Sequence, residues 1–525
     1  MEDFKRLIKL VREERVSLFI GSGFSIKAGA PSVHDLCEAI LSEFDNDHDK
    51  QEHKNDSLSD LSNYFVEEVC GGSRNSLIDL LQKKFSFTPS NLEDHQLLAQ
   101  IPHFHNIFTT NYDTLLEDIY DKDDVQVIRK DEDCAYIDHT KPVSIYKLHG
   151  DFNNQDFVVI TSTDYKNYFK KNQNQSMWDI VKSTFVSNHI LFIGYSLEDD
   201  NIISIIKTIS KTINKNQKDM FLIAPGLDSR KQGQLKKMKV HYYDTVAADF
   251  LSKLTKELMN NIWNDFKHHK VDPKTFSRFC HLHNINPDIS LQEKEDNRIV
   301  QYKSMDGKGL KHQIDIKMPP RYEELFKDID FERNGVFIKN SPFPQLPVLK
   351  IEKEDIIEFS LRVNGILIKD TVDSVLLAPV THKKTLTIRI PSRSFIEKVE
   401  ATIYNLRRGK GVLEFGCDLY NVKVELSMNN PDDVDAGFVA NMSFPFKEKY
   451  TNNNEAIKWI DVLCALYNNE DIYINELTKE SITSHITGLP NKQQCKQLYD
   501  NHKRYYENIR LIEIDTGISF IPLSC

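Results

Sequence analysis

Apolar and polar positions alternate in two different ways along this chain. In the first half, short apolar runs are separated by amphipathic segments. Phe4, Leu7, Ile8 and Val11 recur at helical spacing and predict an opening helix. A series of runs rich in β-branched or aromatic residues predicts strands at Val16–Ile20, Ile107–Thr110, Val125–Ile128, Ser144–Leu148, Phe157–Thr161, His189–Gly194, Met220–Ala224 and Val240–Tyr243. Strands that alternate with helices are typical of a parallel sheet, so we expect an α/β, Rossmann-like domain over residues 1–255.

Two stretches of the chain interrupt this alternation. Residues from about 45 to 100 are polar and helical in pattern, which indicates an insertion outside the sheet. Residues 256–297 form a polar, His-rich connector of moderate helical character. Between the insertion and the next predicted strand, we expect His103 and His105 to lie in a solvated loop.

After residue 298 the pattern changes to strict alternation. Leu386–Ile390 and Val422–Leu426 alternate apolar and polar positions, as does Phe359–Val363, after which Asn364-Gly365 supplies a turn. Half-buried antiparallel strands of this kind predict a β-rich α+β domain over residues 298–525. Helices are expected at about Asn454–Tyr467 and Lys492–Asn508, and a last strand at about Leu511–Ile521.

Size and composition are those of a globular protein with two or three domains. The chain has 525 residues, of which 40% are hydrophobic and 28% charged. Its formal net charge of −11 repels phosphates, which argues against a general nucleic-acid or membrane-surface binder. No apolar stretch approaches the ~18 residues that span a bilayer, the N-terminus lacks a signal-peptide core, and the cysteines are scattered. We therefore expect a cytoplasmic protein with free thiols.

Two glycine-containing loops follow predicted strands. The first is Gly21-Ser22-Gly23-Phe24-Ser25, and Ser32 and Asp35 beyond it are spaced as a capping box for the next helix. Glycines at a strand end let the backbone turn tightly and bring its N–H groups near a pyrophosphate, although a simple βα turn has the same pattern. The second loop is Gly194-Tyr195-Ser196, where the Ser196 hydroxyl could bond a phosphate or a ribose.

Two polar motifs follow neighbouring strands. Thr110-Asn111-Tyr112-Asp113 offers an amide and a carboxylate, with Asp113 equally placed to cap the next helix. Lys147-Leu148-His149-Gly150 offers an imidazole that titrates near neutral pH, or a histidine bonded within a turn. All four motifs lie just beyond the carboxyl end of a predicted parallel strand, where open α/β sheets bind ligands. We therefore expect them to share one site.

As an ordered set, these motifs resemble those of the sirtuin-like domain, and they are most similar to its bacterial branch of NAD-depleting effectors in anti-phage defence. The resemblance covers about residues 1–255. It implies that NAD is the substrate and that Asn111, His149 and Asp113 are catalytic. It also implies a binding set made of Gly21, Ser22, Gly23, Ser25, Thr110, Gly194 and Ser196.

The resemblance gives each group a role. The first glycine loop would cradle the NAD phosphates, and Gly194 with Ser196 would hold the adenosine side. Asn111 would orient the nicotinamide ribose or the attacking water, and Asp113 would support the carboxamide. His149 would contact the ribose hydroxyls and act as general base. Nicotinamide leaves as a neutral molecule from a cationic precursor, so cleavage of its bond to ribose requires no general acid.

Three departures from the deacylating sirtuins narrow the activity. The chain has no C-x-x-C zinc ligands, and Thr110 and Ser32-Val33 stand where glutamine and Phe-Arg are usual. These departures favour an NAD glycohydrolase that releases nicotinamide and ADP-ribose over an NAD-dependent deacylase or ADP-ribosyltransferase. A non-catalytic nucleotide sensor is a third hypothesis, although a sensor has no use for both Asn111 and His149.

The remaining expectations concern metals and partners. His268, His269, Cys280, His281 and His283 match no trusted zinc spacing, so no metal is predicted. An enzyme that depletes NAD must be held inactive until infection is sensed. We therefore expect a homo-oligomer, or a separate sensor or regulatory subunit bound through the C-terminal domain, without direct contact to nucleic acid or membrane.

Overall fold

A computed structural model describes most of the chain as two compact units. The described residues are 2–152, 155–168, 175–195, 197, 202–203, 206–207, 217–294, 297–332, 335–339, 348–405, 410–416, 421–428, 438–443, 453–468, 470–475, 482–484 and 492–518. One unit comprises residues 1–315 and 360–370, and the other comprises residues 316–359 and 371–525. The proposed domain limit at residue 255 lies inside a helix of the first unit, Ala247–Lys267.

The strands are numbered in chain order, and the helices are given by their residue ranges. The described helices are Glu2–Arg12, Val33–Ser42, Asp47–His53, Leu58–Tyr64, Arg74–Phe85, Glu93–Ala99, Leu115–Ile119, Ser162–Tyr168, Gln175–Ser187, Ser229–Lys237, Ala247–Lys267, Pro273–Leu282, Arg321–Lys327, Asn453–Asn468 and Lys492–Thr516. The first seven strands are β1 (Val16–Ile20), β2 (Asn106–Thr109), β3 (Val125–Ile128), β4 (Val143–Lys147), β5 (His189–Ile193), β6 (Met220–Ala224) and β7 (Val240–Asp244). The later strands, β8 to β23, are Ile285–Lys294, Asn297–Ser304, His312–Lys317, Ile329–Glu332, Gly335–Ile338, Leu349–Glu352, Glu358–Val363, Ile366–Lys369, Ser374–Leu377, Thr381–Ile390, Phe395–Asn405, Lys410–Gly416, Asn421–Met428, Phe438–Ser443, Ile472–Asn475 and Ile482–Ser484.

The first unit is built on a seven-stranded, fully parallel sheet, which confirms the predicted Rossmann-like fold. The strand order is β3-β4-β2-β1-β5-β6-β7. The order runs outward in opposite directions from β1 and β5, and the reversal between them is the switch point at which such sheets bind ligands. All five residues of β1 are buried because both faces of the sheet are covered. Leu18 and Phe19 accordingly belong to different apolar cores.

The predicted insertion is helical and has its own apolar core. Its helices are Asp47–His53, Leu58–Tyr64, Arg74–Phe85 and Glu93–Ala99, and no described strand lies between β1 and β2. Leu61, Leu77 and Leu81 are fully buried in this core. The Ser32–Asp35 capping box predicted before the insertion is present at the start of the Val33–Ser42 helix.

The strand predicted at Phe157–Thr161 is wrong. A short 3-10 turn, Gln155–Phe157, precedes an irregular segment that packs under the helical insertion. Side chains satisfy several of its backbone groups, and the N–H of Val159 donates to the carbonyl of His149. Asp164 accepts hydrogen bonds from the N–H groups of residues 160 and 161 at 3.1 and 2.9 Å, and Arg74 donates to the carbonyl of Val158.

The expectation that His103 and His105 occupy a solvated loop is also wrong. His103 is 1% exposed and packs edge-on against Phe279, with ring centroids 5.9 Å apart. His105 is held between Glu14, at 3.2 Å, and the carbonyl of Pro142, at 3.0 Å. The sequence does not reveal the burial of His103, because the ring that covers it, Phe279, comes from a helix more than 170 residues away.

Burial makes His103 a source of acid sensitivity in the first unit. Burial lowers the pKa of His103 to about 4, so the imidazole stays neutral in the folded protein while the unfolded chain binds a proton below about pH 6.5. Stability should therefore fall as the pH drops from about 6.5 to 4, with this residue contributing a slope approaching 1.4 kcal/mol per pH unit. Urea titrations across this range should show a shallower dependence for His103→Leu than for the wild type. The same change at the exposed His34 is the control, and equal slopes for all three proteins would contradict the assignment.

The second unit is β-rich with helices, as predicted. Its main sheet has seven antiparallel strands in the order β21-β20-β19-β18-β17-β22-β23. The alternating run Leu386–Ile390 lies in β17 and turns its apolar side chains onto a core that includes Trp459 and Leu463. The turn predicted at Asn364-Gly365 belongs to the first unit, where it joins β14 to β15, and both of its residues have positive φ, 46° and 87°.

The last strand, predicted at about Leu511–Ile521, is wrong over its described residues. The Lys492–Thr516 helix runs through residues 511 to 516. It ends at Gly517, whose φ of 67° suits a helix C-terminus, and the Gly517 N–H donates to the carbonyl of Glu513 at 2.9 Å. The branched side chains of Ile512 and Ile514 suggested a strand, but both are exposed, at 48% and 66%.

Within the described ranges, no helix is both long enough and apolar enough to span a lipid bilayer.

Candidate active site at the carboxyl edge of the parallel sheet

Strand register brings the four sequence motifs to one edge of the sheet. Ile20 of β1 pairs with Thr109 of β2 and with Ile193 of β5, and Thr109 pairs in turn with Lys147 of β4. Asn111 and His149 each follow these paired residues by two positions, and the two glycine loops follow Ile20 and Ile193 directly. Because neighbouring strands are about 4.8 Å apart, the four loops emerge side by side.

The two glycine loops pack directly against each other at the switch point. The N–H of Gly21 donates to the carbonyl of Ile193 at 3.0 Å, and the N–H of Gly23 donates to the carbonyl of Gly194 at 2.9 Å. A Cβ on Gly21 would lie 2.4 Å from that Gly194 oxygen. The glycines are therefore required for this loop contact, and the N–H groups of Gly21 and Gly23 are committed to β5. Ser22 and Gly23 remain exposed on the outer side of the loop.

Gly194 provides a test of this contact. Its φ is 63°, and a Cβ there would lie 2.3 Å from the backbone nitrogen of Phe24. Gly194→Ala should therefore cost at least about 2 kcal/mol in the free energy of unfolding, from the left-handed backbone and the clash together. Gly226→Ala is a matched control, since Gly226 has a φ of 64° and open space around it. Equal losses in urea unfolding would show that the clash has no effect.

Asn111 has a fixed amide orientation. Its side chain is 3% exposed, and its Nδ2 lies 3.3 Å from both the carbonyl of Gly21 and the Oγ of Ser25. Since a carbonyl can only accept, the group facing Gly21 must be the amide N–H₂. The Oδ1 of Asn111 therefore points away from Gly21. It has no hydrogen-bond partner among the described residues, although it is buried.

A buried serine and histidine lie behind Asn111. The Ser25 hydroxyl accepts from Asn111, and it lies 3.5 Å from Nε2 of His95. His95 is 1% exposed, and burial lowers its pKa, so Nε2 can serve as a neutral acceptor for the serine proton. Ser25, predicted at the phosphates, is fully buried here and holds the amide of Asn111.

Asp113 lies at the start of the Leu115–Ile119 helix. Its Oδ1 accepts the N–H of Leu115 at 3.2 Å in an Asx turn, whereas the N-cap position considered for Asp113 from the sequence is occupied by Thr114. Its side chain is largely buried, at 8% exposure, and its negative charge acts on the nearby His95. Asp113 therefore stabilises the loop that carries Asn111.

His149 lies beside the loop that carries Asn111. Its ring centroid is 6.5 Å from that of Tyr112, and its Nδ1 lies 3.5 Å from the hydroxyl of Tyr165. The histidine is 4% exposed, and its carbonyl accepts the N–H of Val159 at 3.1 Å. Gly150 follows with a φ of 69°, which allows the chain to turn immediately after the imidazole.

A buried ion cluster supports the loop that carries His149. Lys147 is fully buried, and its Nζ lies 2.9 Å from Glu117 and 3.9 Å from Asp151. It also donates to the backbone carbonyl of Asp113 at 2.5 Å. The Nε of Arg129 donates to Asp151 at 2.5 Å. The two cations and two carboxylates thus tie together the loops after β2 and β4.

The structure therefore brings most of the predicted site residues to one edge. Thr110 is half-buried beside Asn111, and Gly194 contacts the Gly21–Gly23 loop. Ser196 lies outside the described residues. Sequence reasoning missed His95, Tyr165 and the cluster around Lys147. The signal for His95 was its helical spacing from Leu98, because the two share the buried face of Glu93–Ala99.

Known proteins have sequences similar to part of this chain. Residues 105–243 match the model of the SIR2-like domain. The NAD(+) hydrolase ThsA of Cytobacillus dafuensis is 30% identical over 209 residues, which are 39% of this chain and 40% of that protein. Defense-associated sirtuin 2 of Bacillus subtilis is 28% identical over 229 residues, which are 42% of this chain and 21% of that protein. A solved structure of Sir2 enzymes covers 49% of this chain and 97% of its own, at 11% identity and a TM-score of 0.31.

The chain thus spans less than half the length of either of these relatives, and residues 105–243 are the part that is similar to the SIR2-like domain model.

Proposed function

We propose that this chain is an NAD glycohydrolase that releases nicotinamide and ADP-ribose and acts as a gated, NAD-depleting effector in anti-phage defence. Residues 1–255 would form the catalytic domain, and residues 298–525 the regulatory or interaction domain. The names of the similar proteins, an NAD(+) hydrolase and a defence-associated sirtuin, support this proposal. We place the protein in the cytoplasm, where NAD is available.

The observation that carries the proposal is the buried, unpaired Oδ1 of Asn111 at the switch edge of the sheet. A buried polar atom without a hydrogen bond costs about 1–3 kcal/mol, so folding alone gives no reason to keep it. A ribose hydroxyl or a water molecule is the donor that such an acceptor would bind. The amide N–H₂ on Gly21 and Ser25 fixes the acceptor before any ligand arrives.

The chemistry follows from the residue types. Cleavage of the bond between nicotinamide and ribose develops positive charge on the sugar, so the site must position the ribose and a water molecule. Asn111 orients one of them through Oδ1, and His149 accepts the proton of the attacking water or the ribose hydroxyl. Ser22 and Gly23 are on the exposed side of their loop, where we expect the NAD phosphates, and we expect the adenosine beside Gly194.

The three hypotheses differ in whether nicotinamide is released from NAD when no acceptor molecule is present. The protein in its activated state should release nicotinamide and ADP-ribose in equal amounts from NAD, without an acylated or acceptor protein. An NAD-dependent deacylase or ADP-ribosyltransferase would release nicotinamide only when an acylated or acceptor protein is added. A non-catalytic sensor would bind NAD and leave it intact under both conditions.

Gating is the second part of the proposal. Uncontrolled NAD cleavage would kill the host, so we infer that activity requires assembly of a homo-oligomer or binding of a sensor subunit through the β-rich domain. The NAD assay should therefore be run over a range of protein concentrations and with neighbouring gene products. Activity that rises more steeply than in proportion to protein concentration would indicate self-assembly.

A further inference from the structure

A cavity lies at the opposite edge of the parallel sheet from the candidate active site. It has a volume of about 770 Å³, within the range of small-molecule sites, and Lys218, Lys236 and Lys239 are among its lining residues. Lys218 lies just before β6 and Lys239 just before β7, so the cavity is at the amino ends of these strands. Because a five-residue strand is about 16 Å long, this cavity is separate from the carboxyl edge.

The cavity carries a net positive charge. Among the described residues, none of its three lysines forms an ion pair with a carboxylate, whereas its one acidic side chain, Asp219, is already paired. Arg6 lies 2.7 Å from the carboxylate of Asp219. The Asp219 N–H also donates to Nδ1 of His189 at 3.0 Å, which anchors this segment against β5. Three ammonium groups therefore remain without a counter-charge in a chain whose formal net charge is −11.

The positive charge extends into an adjoining cavity of about 440 Å³. Lys218 lines both cavities, and Arg6, Lys9 and Arg15 are among the residues around the second one. Its acidic residue, Glu13, lies 3.5 Å from Arg15 and 3.9 Å from Lys9. The unpaired charge is therefore concentrated around the larger cavity, with Lys218 between the two.

The backbone at Lys239 argues that its side chain has a role. Its φ is 58°, a conformation in which a non-glycine residue costs about 1 kcal/mol, and it follows the end of the Ser229–Lys237 helix, where glycine is the usual residue. A lysine in the last turn of a helix also stabilises the helix dipole, which is a sufficient reason for Lys236. Lys218 and Lys239 lie outside that helix, so the dipole does not explain them.

We propose that this cavity binds a small molecule that carries two or more phosphate groups. Lysines without counter-ions around one half-open cavity suit a compact multivalent anion. A nucleic-acid duplex does not suit the cavity, because its volume is that of a small ligand and the net charge of the whole chain repels a long polyanion. The shared chemistry is a pyrophosphate group, carried either by inorganic pyrophosphate or by a nucleoside diphosphate. The proposal is independent of NAD cleavage.

Lysine reactivity in the full-length protein provides a site-specific test. The protein is treated with acetic anhydride with and without inorganic pyrophosphate or ADP, and the acetylation of each lysine is measured by mass spectrometry. Both probes should protect Lys218, Lys236 and Lys239. Lys237 is exposed on the same helix and does not line the cavity, so it should stay as reactive as before.

Calorimetry of a charge-neutralised variant provides the second measurement. The triple variant Lys218→Met, Lys236→Met and Lys239→Met should bind inorganic pyrophosphate at least about tenfold more weakly than wild type, whereas Lys237→Met should bind it equally well. Equal protection by both probes would identify the pyrophosphate group as sufficient, and protection at lower ADP concentration would identify a nucleotide. No protection by either probe at millimolar concentration, or equal protection of Lys237, would overturn the proposal.

Discussion

Replacing His149 by alanine is expected to lower the rate of nicotinamide release from NAD by about 10²- to 10⁴-fold, the usual loss when a general base is removed. The imidazole emerges from β4 beside the loop that carries Asn111, and the Tyr165 hydroxyl lies 3.5 Å from its Nδ1. Alanine keeps the backbone and removes the proton acceptor. The loss should therefore appear mainly in kcat, measured by nicotinamide release at saturating NAD.

Two control variants separate a chemical effect from a structural one. Tyr165→Phe retains the ring that packs edge-on against His149 and removes only the hydroxyl, so it should lower kcat far less than His149→Ala. His34→Ala changes an exposed histidine on the Val33–Ser42 helix and should leave the rate unchanged. If His149→Ala kept its kcat while retaining the wild-type melting temperature, another group would have to be the base.

Replacing Lys147 by methionine is expected to lower the free energy of unfolding by about 3–5 kcal/mol. The variant keeps nearly the same volume but leaves Glu117 and Asp151 buried with Arg129 as the one remaining cation of the cluster. Burial raises the pKa of Glu117, and the positive charge of Lys147 lowers it. The negative charge on Glu117 therefore depends on the neighbouring Lys147. Urea unfolding at neutral pH measures the loss.

The same measurement on two further variants tests the cause. Lys182→Met removes an ammonium group that lies 3.0 Å from the exposed Asp179, so it should cost less than about 1 kcal/mol. The double variant Lys147→Met and Glu117→Leu removes both charges of the 2.9 Å pair and should recover part of the stability. If Lys147→Met were as stable as Lys182→Met, the charge of Lys147 in the buried cluster would not contribute to the free energy of unfolding.

The parallel sheet could be predicted because its strands are buried on both faces. Runs such as Val16–Ile20 and His189–Ile193 are mostly apolar, which is expected where helices cover both faces of the sheet. The run at Phe157–Thr161 misled because it looks the same in composition. Arg74 and Asp164 form hydrogen bonds with part of its backbone. Arg74 lies elsewhere in the chain and Asp164 belongs to the next helix, so no local sequence pattern reveals these partners.

The candidate site could be located from the sequence but not built from it. Gly21, Asn111 and His149 all follow strands, so their edge of the sheet is predictable. The support behind them was not predictable, because Ser25 and His95 meet across 70 residues and Lys147 meets Glu117 across 30. Composition also misled at Leu511–Thr516, where branched residues lie in a helix and face solvent.

The decisive measurement is a crystal structure of the His149→Ala variant with intact NAD, because this variant should bind the dinucleotide without cleaving it. We expect NAD to lie across the carboxyl ends of β1 and β5. A hydroxyl of the nicotinamide ribose, or a water molecule beside it, should donate to Oδ1 of Asn111 at about 2.8 Å. NAD bound at the other edge of the sheet, or an Asn111 Oδ1 still without a partner in the complex, would contradict it.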